Sequence, residues 1–231
     1  HSIRRRQRQM CIRDSPEIFL VQIRAMLRAC EGIENLRIML PMISSVGELQ
    51  SAIGLIDRAY KELTSEEGLS VARPPIGAMI EVPAMVYQVK ALARQVDFLS
   101  VGTNDLTQYL LAVDRNNPRV ANLYTSFHPS VLRALQIIGE HASAAHCEVS
   151  VCGELAGDPM GAVILSGLGY RHLSMSAGSL PRVKSMLMQV THEKAKGLAK
   201  RALRMDDAAA VGNFLSNQLG QPELAKLYSS P

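Results

Sequence analysis

Five short apolar runs constrain this chain more than any other feature, because each is stopped by glycine, proline or a small polar residue and then followed by a stretch with helical spacing. They are Leu36 to Leu40, Ile76 to Glu81, Phe98 to Gly102, Val149 to Cys152 and Leu173 to Ser176. Apolar runs of four to six residues alternating with helices predict right-handed βαβ units and a parallel sheet buried on both faces. In such folds ligands meet the chain at the carboxyl ends of strands. The junctions after the five runs are therefore where function is to be sought.

The intervening segments carry helix signals. Ser15-Pro16-Glu17 combines a hydroxyl cap, a first-turn proline and an acid, and predicts a helix to about Arg28 or Cys30. Ser44 or Ser45 opens a second helix, expected from Val46 to Leu63. Further helices are expected over Ala84 to Arg94, Leu106 to Leu111, Ser130 to Ala144, from Asp158-Pro159 to Leu168, and from Pro181 onward. After Val190 the pattern changes to two amphipathic helices, Glu193 to Leu203 and Asp206 to Leu219, stopped by Gly220 and followed by a short tail. A closed (β/α)8 barrel has eight strands and typically ~250 residues, and only five βα units are countable here. The expectation is an α/β fold: an incomplete (β/α)8 TIM-type barrel over 16–190 lacking its N-terminal strands, with a C-terminal helical extension over 191–231.

Charge narrows the function classes once it is located. Residues 1–15 hold five arginines against one acid, which leaves 20 bases and 20 acids of the totals of 25 and 21. The body is neutral and its four Phe and six Tyr follow no basic, aromatic pattern, so nucleic-acid binding is not expected. The string MCIRDS in the leader resembles the translated end of a transposase adapter, and residues 1–15 are expected to be a non-native, adapter-derived leader in which Arg13 has no role. No run approaches eighteen apolar residues, so no membrane span is expected. Cys11, Cys30, Cys147 and Cys152 form no CxxC pair, which fits free thiols in a reducing cytoplasm.

The strand ends supply the candidate chemistry. Arg37 lies in the first apolar run, Glu81 closes the second, Asn104 and Asp105 follow the third, and Cys152 closes the fourth. Each has a structural explanation alone: an ion-paired arginine and glutamate, a helix cap, a small buried thiol. Gathered on one rim, they would be two carboxylates suited to Mg²⁺, which takes few protein ligands. Arg37 and Arg115 would then clamp phosphate or carboxylate, and a thiol, ordinarily with a pKa of about 8.5, would be protonated and able to give a proton to a carbanion-like carbon. His128, Asp158 and Met175 are expected to be structural: a loop residue, a helix cap and core.

LRIMLPM (36–42), IGAMIEVPA (76–84), DFLSVGTNDLTQYLLAVDRNN (97–117), VCGELAGD (151–158) and LSMSAGSLPRVK (173–184) closely resemble the C-terminal phosphoenolpyruvate-binding barrel of the phosphoenolpyruvate-protein phosphotransferases, enzyme I of the bacterial phosphotransferase system. LLAVDRNNPRVANLY is nearer the nitrogen-related branch. The resemblance implies Mg²⁺-dependent transfer of phosphate from phosphoenolpyruvate to a histidine on a separate domain, with release of pyruvate. A histidine phosphocarrier protein would be the next acceptor and a homodimer the working form. Carried over by motif, Glu81 and Asp105 would hold Mg²⁺, Arg37, Asn104, Asp105 and Arg115 would bind substrate, and Cys152 would donate the proton. Without the phosphohistidine domain and the first barrel strands, this chain is expected to be an inactive fragment. The alternatives are the related barrel of pyruvate phosphate dikinase or phosphoenolpyruvate synthase, a Mg²⁺-dependent lyase barrel, and a non-catalytic ligand-binding or dimerisation module.

Overall fold

A computed structural model describes residues 15–220. The expected leader, apart from Ser15, with Arg13 and the tail over 221–231, lies outside the described residues. Five strands, β1 (Ile38–Leu40), β2 (Ile76–Ile80), β3 (Phe98–Gly102), β4 (Glu148–Cys152) and β5 (His172–Ser174), form one sheet in the order β1-β2-β3-β4-β5. β1 and β2 run parallel with Ile38 opposite Ile76 and Leu40 opposite Ala78. β4 and β5 are also parallel, with Ser150 opposite His172 and Cys152 opposite Ser174. All five expected strands are present, and each is separated from the next by helix, as parallel neighbours require. Backbone contacts divide the chain into two compact units, residues 15–99 with 145–148 and residues 100–144 with 149–220.

In the first unit, α1 (Pro16–Arg28) buries Phe19, Leu20, Ile23 and Leu27 along one face. Proline sits in its first turn as expected, but the Ser15 hydroxyl makes no capping bond, because Ser15 is not in the extended cap conformation (φ −146°, ψ 65°). α2 (Val46–Lys61) is capped from both directions: Ser45 Oγ accepts the Glu48 N–H at 3.1 Å, and the Glu48 carboxylate accepts the Ser44 N–H and hydroxyl, each at 2.8 Å. The helix ends two residues before the expected Leu63 and passes into a single π-helical turn, Glu62–Glu66. There Glu62 accepts Arg24 of α1 at 2.5 Å and Arg58 of α2 at 2.8 Å, and both guanidinium groups hold its carboxyl below the usual range.

One helix was expected over Ala84 to Arg94, and two single turns occur instead, α3 (Pro83–Val86) and α4 (Val89–Leu92). Val86, Val89 and Leu92, all buried, are three residues apart, the spacing of a 3₁₀ turn, and the backbone bonds Met85 N–H to Val82, Gln88 to Met85 and Ala91 to Gln88 span three residues.

The second unit carries α5 (Thr103–Leu110), α6 (Pro129–Ala144), α7 (Glu154–Gly157), α8 (Pro159–Gly167), α9 (Leu180–Gln189), α10 (His192–Ala202) and α11 (Ala208–Leu219). α8 is apolar all round, with Gly161, Ala162, Val163, Ile164 and Leu165 buried, the composition of a helix covered on every side. α10 is one of its covers: Ala195, Leu198, Ala199 and Ala202 are buried, and a Cβ on Gly167 would collide with the Ala195 carbonyl. α10 and α11 start on side-chain caps, Thr191 Oγ1 to Lys194 N–H and Asp207 to Ala210 N–H. Tyr170, 2% exposed, donates its hydroxyl to the Leu135 carbonyl at 2.7 Å, and burial pushes its pKa well above the usual tyrosine value. Because the atom opposite Gly167 is backbone, Gly167→Ala should destabilise the protein by about 1–3 kcal/mol, the usual range for overpacking. Urea unfolding read by circular dichroism checks this.

Candidate active site

In the first unit, Glu81 follows β2 directly and is 4% exposed. Its Oε1 accepts the Met42 N–H at 2.7 Å. Met42 lies two residues after β1 and adopts φ 57°, a left-handed conformation that costs a side-chain-bearing residue free energy and here aims the amide at the carboxylate. Glu81 is therefore a buried carboxylate at the carboxyl end of the β1–β2 pair, as the sequence suggested.

Arg37 is not. It precedes β1 by one residue, at the amino end of the same pair. Its Nη2 donates to Glu148 Oε2 at 2.9 Å, and its guanidinium stacks over the Phe98 ring at 4.2 Å. Its donation to the Glu148 carboxylate raises its pKa above the ordinary arginine value. The expectation that Arg37 clamps substrate beside Glu81 is corrected: the two side chains belong to opposite ends of their strands. A strand arginine carries no local mark of which end it serves, and β1 begins two residues later than the apolar run implied.

The second unit brings together the other sequence-chosen residues. β3 ends at Gly102, which is itself the N-cap position of α5, so neither Asn104 nor Asp105 is the cap. Asn104 Oδ1 accepts the Glu154 N–H at 2.9 Å and ties the first turn of α5 to the start of α7. Asp105 Oδ1 takes Arg115 Nη1 at 3.1 Å, with the two side chains about one-fifth exposed. Thr103, fully buried, donates its hydroxyl to the Cys152 carbonyl at 2.8 Å. Gly153 then turns the chain at φ 108°, where a Cβ would strike Thr103 Oγ1 and Asn104 Oδ1, so the turn is closed to any other residue.

These junctions open into a cleft of about 590 Å³ whose lining includes Asn104, Cys152, Glu154, Asp158, Met175 and Arg182. The thiol of Cys152 donates to the Val101 carbonyl at 3.4 Å and accepts from the Ser100 hydroxyl at 3.7 Å. Met175 is half-buried on the cleft wall, which corrects its assignment to the core: β5 ends at Ser174 and leaves Met175 in the following loop. Asp158 is the expected cap, accepting the Gly161 N–H at 2.7 Å, but it also faces the cleft. His128, expected in a loop, accepts the Ser130 N–H through Nδ1 at the start of α6.

Sequence reasoning assigned no role to Thr103, Ser100, Tyr124 or Arg182. Tyr124 donates its hydroxyl to the Asn104 carbonyl at 3.3 Å, and burial pushes its pKa up, against the pull of Arg115. Arg182 leaves a cation on the cleft wall near Asp158. For Ser100 the available signal was a hydroxyl inside an otherwise apolar strand.

The fold and site define an α/β protein with a cleft at the carboxyl ends of parallel strands, furnished with amide, guanidinium and thiol groups. The family model for the PEP-binding domain of PEP-utilising enzymes matches residues 4–192, and the chain belongs to that family. It is 52% identical over 198 residues to "Phosphoenolpyruvate-dependent phosphotransferase system" of Salmonella typhimurium, covering 86% of this chain and 26% of that protein. It is 40% identical over 206 residues to "Phosphoenolpyruvate-protein phosphotransferase" of Haemophilus influenzae, covering 89% of this chain and 36% of the relative. The chain thus spans about a quarter to a third of the length of these relatives. A citrate lyase from Burkholderia xenovorans LB400 shares the fold, with a TM-score of 0.54 and 18% identity over 92% of this chain and 70% of that one. No helix among the described residues is long and apolar enough to cross a membrane.

Burial pushes the Asp158 carboxyl up, more than the Gly161 and Met160 amides and Arg182 draw it down. A carboxyl whose folded value lies above the unfolded ~3.9 contributes stability fully below that pH, and loses it as pH rises through the folded value. Asp158→Asn keeps an oxygen for the Gly161 N–H and removes the titration. Its stability relative to the parent should therefore improve from pH 4 to pH 7, measured by urea unfolding across that range.

Proposed function

We propose that this chain is the phosphoenolpyruvate-binding part of a phosphotransferase that moves the phosphoryl group of phosphoenolpyruvate to a histidine of a separate domain, releases pyruvate, and thereby starts a relay to a histidine phosphocarrier protein. The observation that carries the reading is the cleft in which Asn104 and Cys152 meet at adjoining junctions, with the Asp105–Arg115 pair on the same helix turn and loop. Membership of the PEP-binding family and identities of 40–52% to phosphotransferase proteins support it. The strand order, without a skipped strand and with β1–β2 and β4–β5 parallel, supports reading the sheet as part of a (β/α)8-type barrel.

The donor chemistry fits Mg²⁺. This ion binds through one or two carboxylates and keeps waters and substrate oxygens in the rest of its shell, and Glu81 and Asp105 each offer one carboxylate at a strand end. When bound, it would neutralise charge on the phosphoryl and enolate oxygens. The chain's own residues do the rest. Asn104, its side-chain oxygen held by the Glu154 amide, has its NH₂ as the donor available for a substrate oxygen. Arg115, braced by Asp105, offers further N–H groups to a phosphate or carboxylate. Cys152 gives its thiol proton to C3 of the enolate: the S–H bond breaks, a C–H bond forms, and the electron pair stays on sulfur.

Isothermal titration of the purified chain with phosphoenolpyruvate should give heat only when Mg²⁺ is present. Glu81→Gln and Asp105→Asn should each weaken binding at least tenfold, about 1.4 kcal/mol, whereas Arg37→Ala should leave it within twofold. Equal binding with and without Mg²⁺, or an Arg37→Ala loss matching the carboxylate variants, would overturn the reading.

A further inference from the structure

Ser100 and Val101 of β3 both contact the Cys152 thiol, and they act on it in opposite senses. The Val101 carbonyl accepts the S–H at 3.4 Å and favours the protonated form, while the Ser100 hydroxyl approaches the same sulfur as a donor at 3.7 Å. Ser100 is 5% exposed, so its hydroxyl is shielded from competing water, and sulfur within reach gives it an acceptor. Thr103 Oγ1, three residues after Ser100, fixes the Cys152 carbonyl at 2.8 Å and prevents the thiol from drifting away from Ser100. The turn at Gly153, open to glycine alone, holds the residue from its other side.

We infer that Ser100 is a positioning residue that stabilises the Cys152 thiolate left behind when the thiol gives up its proton. The inference rests on the reading of Cys152 as proton donor for its purpose, but not for its physics. A hydroxyl donating to sulfur gains strength as the sulfur becomes an anion, whereas the carbonyl of Val101 loses its partner at that moment. Ser100 thus lowers the cost of proton transfer without touching substrate. Departure of the proton leaves the electron pair on sulfur, where the Ser100 hydroxyl already points as a donor. The other charged groups on the cleft are Glu154, Asp158 and Arg182, with Asp105 and Arg115 beside Asn104, and none is altered by a change at Ser100.

The test is the pH profile of Cys152 alkylation by iodoacetamide in the full chain without substrate, read by mass spectrometry of the Cys152 peptide so that the other cysteines do not interfere. Ser100→Ala should move the profile up by about one pH unit and slow alkylation about tenfold at neutral pH, since below the midpoint the rate follows the thiolate fraction. Ser100→Thr, which keeps a hydroxyl, should stay within twofold of the parent. Ser100→Val has the shape of threonine without the donor and should behave like Ser100→Ala, so the Thr and Val pair decides the matter even if Ser100→Ala folds poorly. A profile unchanged in Ser100→Val, or shifted equally in Thr and Val, would overturn the inference. Because no substrate is present, this outcome is separate from that of the phosphoenolpyruvate titration.

Discussion

The bond from Thr103 Oγ1 to the Cys152 carbonyl pins one strand-to-helix junction to the next, and the rest of the cleft depends on it. A junction between a strand and a helix is a place where backbone groups lose their ladder partners, and each must find another. Here the partners come from the neighbouring junction: Asn104 accepts the Glu154 amide, Thr103 donates to the Cys152 carbonyl, and Gly153 supplies a turn with no Cβ where the two come closest. The side chains at these junctions are thereby placed by short contacts between neighbouring strand ends. That gives the precision a reacting centre requires and that mobile loops do not supply.

The first unit meets a similar problem with a backbone amide. Glu81, nearly inaccessible to water, needs at least one good donor, and it takes the Met42 amide. At the amino end of the same strands, Arg37 stacks on Phe98 and pairs with Glu148. Charged residues on neighbouring strands serve separate ends: one carboxylate is buried at the carboxyl end of its strand, while the guanidinium is half-exposed and joins three strands' starting points.

The strands were legible because each apolar run is short and bounded by a breaker, and two of the helix starts because Ser45 and Asp158 act through their own side chains on amides three residues on, whereas the caps Thr191 and Asp207 went unread and their helices were found by amphipathic spacing. The split of the Pro83 to Leu92 segment was missed because apolar residues three apart satisfy both 3₁₀ and α spacing in so short a stretch. Asn104, Asp105 and Cys152 could be chosen from motif and strand end. The hydroxyl contacts of Ser100 and Thr103 with Cys152 could not, since they join residues about fifty positions apart and depend on strand pairing that no local pattern encodes. Arg37 failed for a related reason: its partners Phe98 and Glu148 come from distant strands, and only they reveal which end it serves.

Anchoring Glu81 through the amide of Met42 has an evolutionary corollary. An interaction made by peptide nitrogen is present whatever side chain the position carries, proline excepted, so most point changes at codon 42 leave the carboxylate's tether in place. The side chain there is free to adapt to its surroundings, and glycine would even relieve the left-handed twist at φ 57°. The anchorage of this buried acid is in that sense insulated from drift in the residue that provides it.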